Sequence, residues 1–167
     1  VQTCALPISI TLSSGLSGTF QSAVIAKAEL PEREIFLVDS KQASGGQGLL
    51  VLAAQEMADA GKPASYIVDE VTRMSSEMVT IFSVDTLDYL ARNGRIGKAQ
   101  HLLGSMLNMK PILRLDKDGV VTAVDRVRGK GKVIPRILEL IHEKIKEGSL
   151  VDAVFVHADA PEELRKL

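Results

Sequence analysis

The chain has 167 residues, of which 46% are hydrophobic and 25% charged, so it can bury the core of one ordinary domain or of two small ones. Its formal net charge of −1 provides no global electrostatic case for binding nucleic acid. Cys4 is the only cysteine, which excludes an internal disulfide and a cysteine-based zinc site. No apolar run approaches the length needed to cross a bilayer, so we expect a protein of the reducing cytoplasm.

Both ends of the chain look unlike the ends of a natural protein. Residues 1–8, VQTCALPI, match the translation of a sequencing adapter, and we expect them to be an artefact. At the other end a predicted helix opens at Pro161 and the chain stops six residues later, at Leu167. We therefore predict an internal fragment of a longer protein.

The first half of the chain alternates apolar strands with helices, which predicts a parallel α/β layer. Its apolar runs end in polar or glycine-rich stretches, the usual signal for a loop after a strand. The predicted elements are a strand before Leu12, a helix over 20–30, a strand over 34–39, a loop over 40–48, and helices over 49–61 and 63–78.

The second half follows a different pattern because it contains a hairpin signal, Asp116-Lys117-Asp118-Gly119, between two apolar strands. A hairpin beside helices predicts a mixed sheet, so we place a domain boundary near Met78 and Val79. Residues 9–78 and 79–167 are then parts of two α/β domains, both truncated. The predicted elements are strands over 79–84, 112–115, 120–127 and 151–157, helices over 87–93, 97–107 and 132–146, and a left-handed helix stop at Gly94.

The segment Leu12–Phe20, LSSGLSGTF, is rich in hydroxyls and glycines where a strand ends and a helix begins. Free N–H groups at a helix start, together with the positive end of its dipole, favour an anion. Ser17 and Thr19 add side-chain donors, and Gly18 lets a ligand approach the main chain. The alternative is that these residues simply cap the helix.

Several motifs, in the right order, resemble the DegV family of bacterial fatty-acid-binding proteins. The first is ITLSSGLSGTFQSA over 10–23, and the second is DTLDYL over 85–90, continuing through GRIGKA at 94–99 to LGSMLNMKPIL at 103–113. Four shorter matches, VDS at 38–40, GQGLLV at 46–51, VRGKGK at 127–132 and HADAP at 157–161, lie between and after them. Each match is weak alone, whereas the ordered set covers nearly everything after Ser9.

The resemblance implies a two-domain α/β protein that holds one long-chain fatty acid in a tunnel between its domains. It assigns Ser17 to the carboxylate, with Gly18 and Thr19 beside it, and places Arg95 near the head group. The family's upstream Thr-Ser-Gln-Pro loop and downstream Gly-Thr-His loop are absent from this sequence, so we expect its head-group site to be incomplete.

The resemblance also implies a carrier with no chemistry of its own. A partner fatty acid kinase phosphorylates the bound carboxylate to an acyl phosphate, which connects the carrier to phospholipid metabolism. The basic segment that contains Arg126, Arg128 and Lys130 is the candidate docking surface for this kinase. No cofactor is implied besides the fatty acid ligand.

Other functions compete with this interpretation. Ser17 as a hydrolytic nucleophile lacks the G-x-S-x-G elbow, yet a small-molecule α/β enzyme using Ser17 or Asp85 in hydrolysis or phosphoryl transfer stays open. Arg95 could equally be a surface residue of a turn, and Asp39 and Asp85 are interpreted as turn or cap residues. The basic segment, beside few aromatic residues, favours a protein partner or a plain solvated face over nucleic acid. His101, His142 and His157 are too far apart for a metal motif, so no metal is predicted.

Overall fold

The computed structural model describes residues 7–104 and 108–165, apart from the side chains of residues 163 and 164. The chain divides into two compact units, Val1–Met78 (unit 1) and Val79–Leu167 (unit 2). Each unit combines one sheet with helices, which confirms the predicted α/β fold class.

Unit 1 is built on a parallel pair of strands. They are aligned so that Thr11, the last residue of the first strand, pairs with Asp39, the last residue of the second. The first strand starts at Ile8, inside the segment predicted to be adapter-like. In chain order the elements are β1 (Ile8–Thr11), α1 (Thr19–Ala28), β2 (Phe36–Asp39), α2 (Ser44–Asp59) and α3 (Ala64–Glu77).

The core of unit 1 lies under β2, α2 and α3. Helix α3 contributes Ile67 and Val71, which are one turn apart and therefore lie on one face. Leu50 of α2 is fully buried beside them. Helix α1, in contrast, has no buried residue.

The start of α2 corrects the predicted loop over 40–48, because the helix already begins at Ser44. Three glycines in its first turns, at positions 45, 46 and 48, have a low helix propensity and therefore suggested a loop. A tertiary contact stabilises this turn: Gln47 Nε2 donates a hydrogen bond to the carbonyl oxygen of Ile10 at 3.0 Å. Packing against β1 thus overrides the local preference.

Unit 2 contains an antiparallel sheet in the order β3-β4-β5. The predicted hairpin is confirmed: the carbonyl oxygen of Asp116 accepts the N–H of Gly119 at 2.8 Å, and Gly119 adopts φ 72°. The elements are β3 (Ile81–Ser83), α4 (Asp88–Arg92), a 3₁₀ helix (Gly97–Leu102), β4 (Met109–Leu115), β5 (Val121–Arg128), a second 3₁₀ helix (Lys130–Lys132), α5 (Val133–His142) and α6 (Pro161–Leu164).

Four predicted elements of unit 2 differ from the structure by three residues or more. The strand predicted over 112–115 begins three residues earlier, at Met109. The helix over 97–107 is a 3₁₀ helix that ends at Leu102, and residues 105–107 lie outside the described residues. Helix α5 ends at His142, four residues before the predicted end at residue 146. The strand over 151–157 is wrong: this segment has no regular structure, and Phe155 is half exposed. Apolar residues alone do not make a strand, since its backbone needs a neighbouring strand to hydrogen-bond, and none of β3, β4 and β5 pairs with this segment.

Candidate functional site

Two loops leave the carboxyl ends of β1 and β2 side by side, because the strands are parallel and end in register. Ser13 donates its N–H to the carbonyl oxygen of Gln42 at 2.8 Å, and Ser40 donates its N–H to that of Thr11 at 3.2 Å. Ser13 and Ser40 are fully buried, so these contacts join the two loops beneath the surface. This edge is where parallel α/β sheets place their ligands.

A buried polar network supports the second loop from below. The Oγ of Ser40 accepts the N–H of Gln42 at 3.1 Å, and Gln42 Nε2 donates to the carbonyl oxygen of Ser75 at 3.4 Å. The hydroxyl of Ser75 in turn donates to the carbonyl oxygen of Ser40. Buried polar groups that are all hydrogen-bonded rigidify the structure around them, so this loop is tied to the last turn of α3.

Ser17 lies where the first loop turns into α1. The carbonyl oxygen of Ser13 accepts the N–H groups of Leu16 at 3.0 Å and of Ser17 at 3.1 Å, which form a single helical turn. The Ser17 Oγ lies 2.8 Å from the Thr19 Oγ1 and accepts the N–H of Thr19 at 3.3 Å. Ser17 is half-buried and Thr19 is exposed, so the two hydroxyls form a pair at the surface.

The surroundings of this hydroxyl pair suit an anion. The N-cap residue of α1 is Gly18, which has no side chain to cap the helix. The bond from the Thr19 N–H to the Ser17 Oγ is of the kind a capping serine makes, so the capping alternative stays open beside the anion site. A Cβ added at Gly18 would meet no atom within 4 Å, so the backbone there is open to approach. The first turn of α1 contains no acidic residue, which leaves the positive end of its dipole uncompensated by side chains.

The carboxylate of Asp39 connects both loops. Its Oδ1 accepts the N–H of Ser14 at 3.0 Å and the N–H of Lys41 at 3.2 Å, while its Oδ2 lies 2.7 Å from the Lys41 Nζ. Lys41 Nζ also donates to the Ser14 Oγ at 3.1 Å. Burial raises the pKa of Asp39, but hydrogen bonds from Lys41 and Ser14 lower it by more, so its pKa lies below the ordinary value. We call these three residues, Ser14, Asp39 and Lys41, the Asp39 clamp.

Arg95 belongs to unit 2, where two glycines shape its turn. Gly94, at φ 70°, ends the turn after α4, as predicted, and Gly97 has φ 53°. The N–H of Arg95 donates to the carbonyl oxygen of Leu90 at 2.8 Å, and Arg95 Nη1 donates to that of Asn93. The residue is exposed, and its role at the head group stays a prediction.

Asp85 follows β3 and borders a pocket of about 120 Å³ within unit 2. Its Oδ1 lies 2.8 Å from Lys110 Nζ, and this hydrogen bond and the charge of Lys110 lower the pKa of Asp85. A carboxylate with a lowered pKa is a weak proton acceptor, so this contact does not favour Asp85 as a general base. The pocket is lined by Asp85, Thr86, Leu87, Asp88, Leu103, Gly104, Met109 and Pro111.

The predicted basic segment continues from β5 into the second 3₁₀ helix. Arg126 and Arg128 are two positions apart on β5 and both exposed, so they lie on the same face of the strand, and Lys130 is exposed two residues later. Arg136 differs from them, because it donates hydrogen bonds to Glu139 at 2.8 Å and to Asp125 at 2.6 Å, which raise its pKa. The charge of Arg136 is therefore locally compensated.

Two further observations concern the residues that the structure describes. Within the ranges 7–104 and 108–165, no group of three or more histidine, cysteine, aspartate or glutamate side chains could hold a metal ion. In the same ranges, no helix has both the length and the apolar character of a membrane span.

Comparison with known proteins places the chain. The sequence model of the DegV family, described as an uncharacterised protein family, matches residues 7–167. The chain belongs to the DegV family. A DegV domain-containing protein of Clostridium acetobutylicum is 38% identical over 159 residues, and Protein DegV of Bacillus subtilis is 37% identical over 161. These alignments cover 95% and 96% of this chain but 56% and 57% of the relatives, so the chain spans about half their length.

Solved DegV structures share the fold. A DegV family protein from Thermus thermophilus, described for its fatty acid binding, is 40% identical with a TM-score of 0.76, covering 82% of this chain and 48% of that one. The fatty-acid-binding protein DegV of Bacillus subtilis is 37% identical with a TM-score of 0.71, covering 83% and 49%. A stearic acid-binding protein from Eubacterium ventriosum is 27% identical with a TM-score of 0.74, covering 82% and 48%. The likeness to the DegV fold that the motifs suggested is thereby confirmed.

Sequence reasoning missed the Asp39 clamp and the network around Gln42 and Ser75. The signal available was the polar run Asp39-Ser40-Lys41-Gln42 directly after an apolar strand. Asp39 is predicted as a turn or cap residue and residues 40–48 as a loop, because nothing in the sequence shows that these side chains reach the loop after β1, some 25 residues earlier.

Proposed function

We propose that this chain contributes part of the binding site for a long-chain fatty acid, with Ser17, Gly18 and Thr19 contacting the ligand carboxylate. The observation that carries this proposal is the Ser17–Thr19 hydroxyl pair, 2.8 Å apart, at the open start of α1. The DegV proteins of known structure that are named for fatty acid binding support the choice of ligand.

The chemistry of this pair suits a carboxylate. One hydroxyl of the pair donates to the other, so the pair offers one hydroxyl hydrogen to an incoming carboxylate, and the dipole of α1 favours a negative charge at the same place. Hydrogen bonds to an ionised acceptor are about twice as strong as neutral ones. Arg95 is proposed as a further contact of the carboxylate, since a guanidinium matches its planar geometry.

We also propose that the protein is a carrier with no chemistry of its own, which presents the acyl carboxylate to a fatty acid kinase in the cytoplasm. The Ser17 and Thr19 hydroxyls stabilise the carboxylate without neutralising it, and each hydrogen bond occupies only one lone pair, so an oxygen lone pair stays available to attack a phosphoryl group. Arg126, Arg128 and Lys130 are the proposed docking surface, because their exposed cations extend over one short stretch of unit 2.

Binding is tested with the longest natural polypeptide that contains residues 9–167. The protein is purified, extracted with organic solvent, and its lipid identified by mass spectrometry; delipidated protein is then titrated with radiolabelled stearate. Ser17→Ala removes one hydrogen bond to a charged group, so we expect affinity to fall about 10-fold. The matched control is Ser76→Ala, which removes an exposed serine that bonds to the backbone of α3. An empty protein that hydrolyses ester or phosphate substrates contradicts the carrier proposal.

Docking is tested separately by charge reversal. The triple change Arg126→Glu, Arg128→Glu and Lys130→Glu is expected to lower acyl phosphate formation by the kinase while leaving stearate binding unchanged. Lys117→Glu, which reverses an exposed charge in the β4–β5 turn, is the control. Equal rates for the triple variant and the unaltered protein contradict the docking surface.

A further inference from the structure

In the first loop of unit 1, Leu12 and Leu16 are half-buried, but the two residues between Ser13 and Leu16 have little burial to hold them in place. Ser14 and Gly15 are exposed, whereas Ser13, directly before them, is fully buried. Exposed loop residues are positioned by polar contacts or not at all, since burial contributes little to their free energy. Polar contacts to Ser14 therefore have a large influence on the position of the following turn.

The Asp39 clamp supplies such contacts. The Oδ1 of Asp39 accepts the N–H of Ser14 at 3.0 Å, and Lys41 Nζ donates to the Ser14 Oγ at 3.1 Å. Ser14 is thus held through its backbone and its side chain together. Asp39 is itself well placed, because it ends β2 and its side chain is 13% exposed.

The position of Ser14 is transmitted to Ser17 by one helical turn. The carbonyl oxygen of Ser13 accepts the N–H groups of Leu16 and Ser17, so residues 13–17 form a short unit with fixed internal geometry. One end of this unit is fixed by the buried contact of Ser13 with Gln42 and by the Asp39 clamp. The other end carries the hydroxyl of Ser17, whose direction follows from the orientation of the turn.

The charge of Asp39 is compensated where it lies. An isolated carboxylate beside an anion site would repel the ligand, but the Lys41 ammonium lies 2.7 Å from Oδ2. Because the pKa of Asp39 lies below its ordinary value, the carboxylate stays ionised and the clamp stays formed at neutral pH. The pair therefore acts on the loop mainly through geometry.

We propose that Asp39 is a positioning residue for the fatty acid head group: its carboxylate orients the turn over residues 13–17 so that the Ser17 hydroxyl points to the ligand carboxylate. This inference rests on the proposed function. It assigns to Asp39 a role in head-group selectivity, in addition to closing a turn.

The test compares two ligands that share an acyl chain but differ in their head groups, stearate and octadecanol. Asp39→Ala removes the acceptor of the Ser14 N–H. We expect it to weaken stearate binding about 10-fold, because a misplaced Ser17 loses a hydrogen bond to a charged group. Octadecanol binding is expected to weaken by only about three-fold, since hydrogen bonds between neutral groups contribute roughly half as much free energy, and half the free energy of a 10-fold effect corresponds to about three-fold. In a Ser17→Ala background the effect of Asp39→Ala on stearate should disappear, because the two residues act through one contact.

Two variants separate positioning from general stability. Asp39→Asn keeps an acceptor oxygen for the Ser14 N–H, so its ratio of octadecanol to stearate dissociation constants should stay near that of the unaltered protein. Asp116→Ala is the matched control: Asp116 also accepts two backbone N–H groups and pairs with a lysine, but it lies in the β4–β5 hairpin. It should lower stability without changing the ratio.

The outcomes are distinguishable. The positioning role is overturned if Asp39→Ala weakens the binding of stearate and of octadecanol equally. It is also overturned if Asp39→Ala weakens stearate binding as much in the Ser17→Ala background as in the unaltered protein. If Asp39→Ala does not fold, Asp39→Asn decides, and a loss of stearate selectivity of about three-fold or more in that variant overturns the proposal. If Ser17→Ala itself leaves stearate binding unchanged, the head-group assignment under the proposed function fails, and the positioning role fails with it.

Discussion

Gly97 is the residue whose replacement has the best-defined expected cost. It begins the 3₁₀ helix after the turn that carries Arg95, and it adopts φ 53°, a left-handed conformation. It also packs against the start of β5. A Cβ added there would lie 2.5 Å from the carbonyl oxygen of Val121 and 2.7 Å from the Val120 Cγ1. The first of these is a backbone atom of a sheet strand, which cannot move alone.

The expected cost of Gly97→Ala has two parts. A left-handed conformation costs an L-residue roughly 1–2 kcal/mol. Forcing an extra carbon atom into a packed contact costs typically about 1–3 kcal/mol. We therefore expect the free energy of unfolding of unit 2 to fall by about 2–5 kcal/mol.

Gly94→Ala is the control that isolates the steric part. Gly94 has φ 70°, but a Cβ added there meets nothing within 4 Å, so only the conformational cost of roughly 1–2 kcal/mol applies. Both variants restrict the unfolded chain equally, so that contribution cancels in the comparison. Urea unfolding followed by circular dichroism measures both. If the two variants differ by less than about 0.5 kcal/mol, the close packing of Gly97 against β5 is refuted.

Three further predictions concern the core and the charges. Leu50→Ala should destabilise unit 1 by about 2–5 kcal/mol in urea unfolding, because Leu50 is fully buried, whereas Leu52→Ala, at a position 62% exposed, should stay within about 0.5 kcal/mol; equal losses would contradict the assigned core. Arg136 holds the pKa of Asp125 below 3.8, so the stability that this pair contributes is present above that pH and is lost as the pH falls through the lower value of the folded state. The stability difference between the unaltered protein and Asp125→Asn should therefore shrink between about pH 5 and pH 2, and a constant difference would refute the pairing. Lys110→Met should raise the pKa of Asp85 toward 3.8, as measured by NMR titration of its carboxyl carbon; an unchanged pKa would show that the ion pair does not form in solution.

Local sequence signals predict the elements whose conformation is determined within a few residues of the chain. The helix predicted over 63–78 is α3, Ala64–Glu77, because its apolar residues recur with the helical period. The Asp116–Gly119 turn and the left-handed conformation of Gly94 are also predicted from local signals, because each conformation depends on the residue type at one or two positions.

Two segments whose structure depends on distant partners are predicted wrongly from the sequence. The first turn of α2 is glycine-rich and forms through a bond from Gln47 to β1, 37 positions away. The apolar segment over 151–157 has the composition of a strand, yet β3, β4 and β5 do not pair with it. In both cases the deciding contact lies far along the chain, where no local window detects it.

The candidate site divides in the same way. By itself the sequence placed Ser17, Gly18 and Thr19 at the start of a helix, and its ordered motifs indicated the family, because residue types and their spacing carry that information directly. Only the tertiary structure showed that Asp39 and Lys41 hold the loop after β1, and that Ser17 and Thr19 form a hydroxyl pair beside an open backbone. The physical reason is the parallel register of β1 and β2. This register brings loops 25 residues apart to one edge of the sheet, and a hydrogen bond depends on distances that spacing along the chain does not contain.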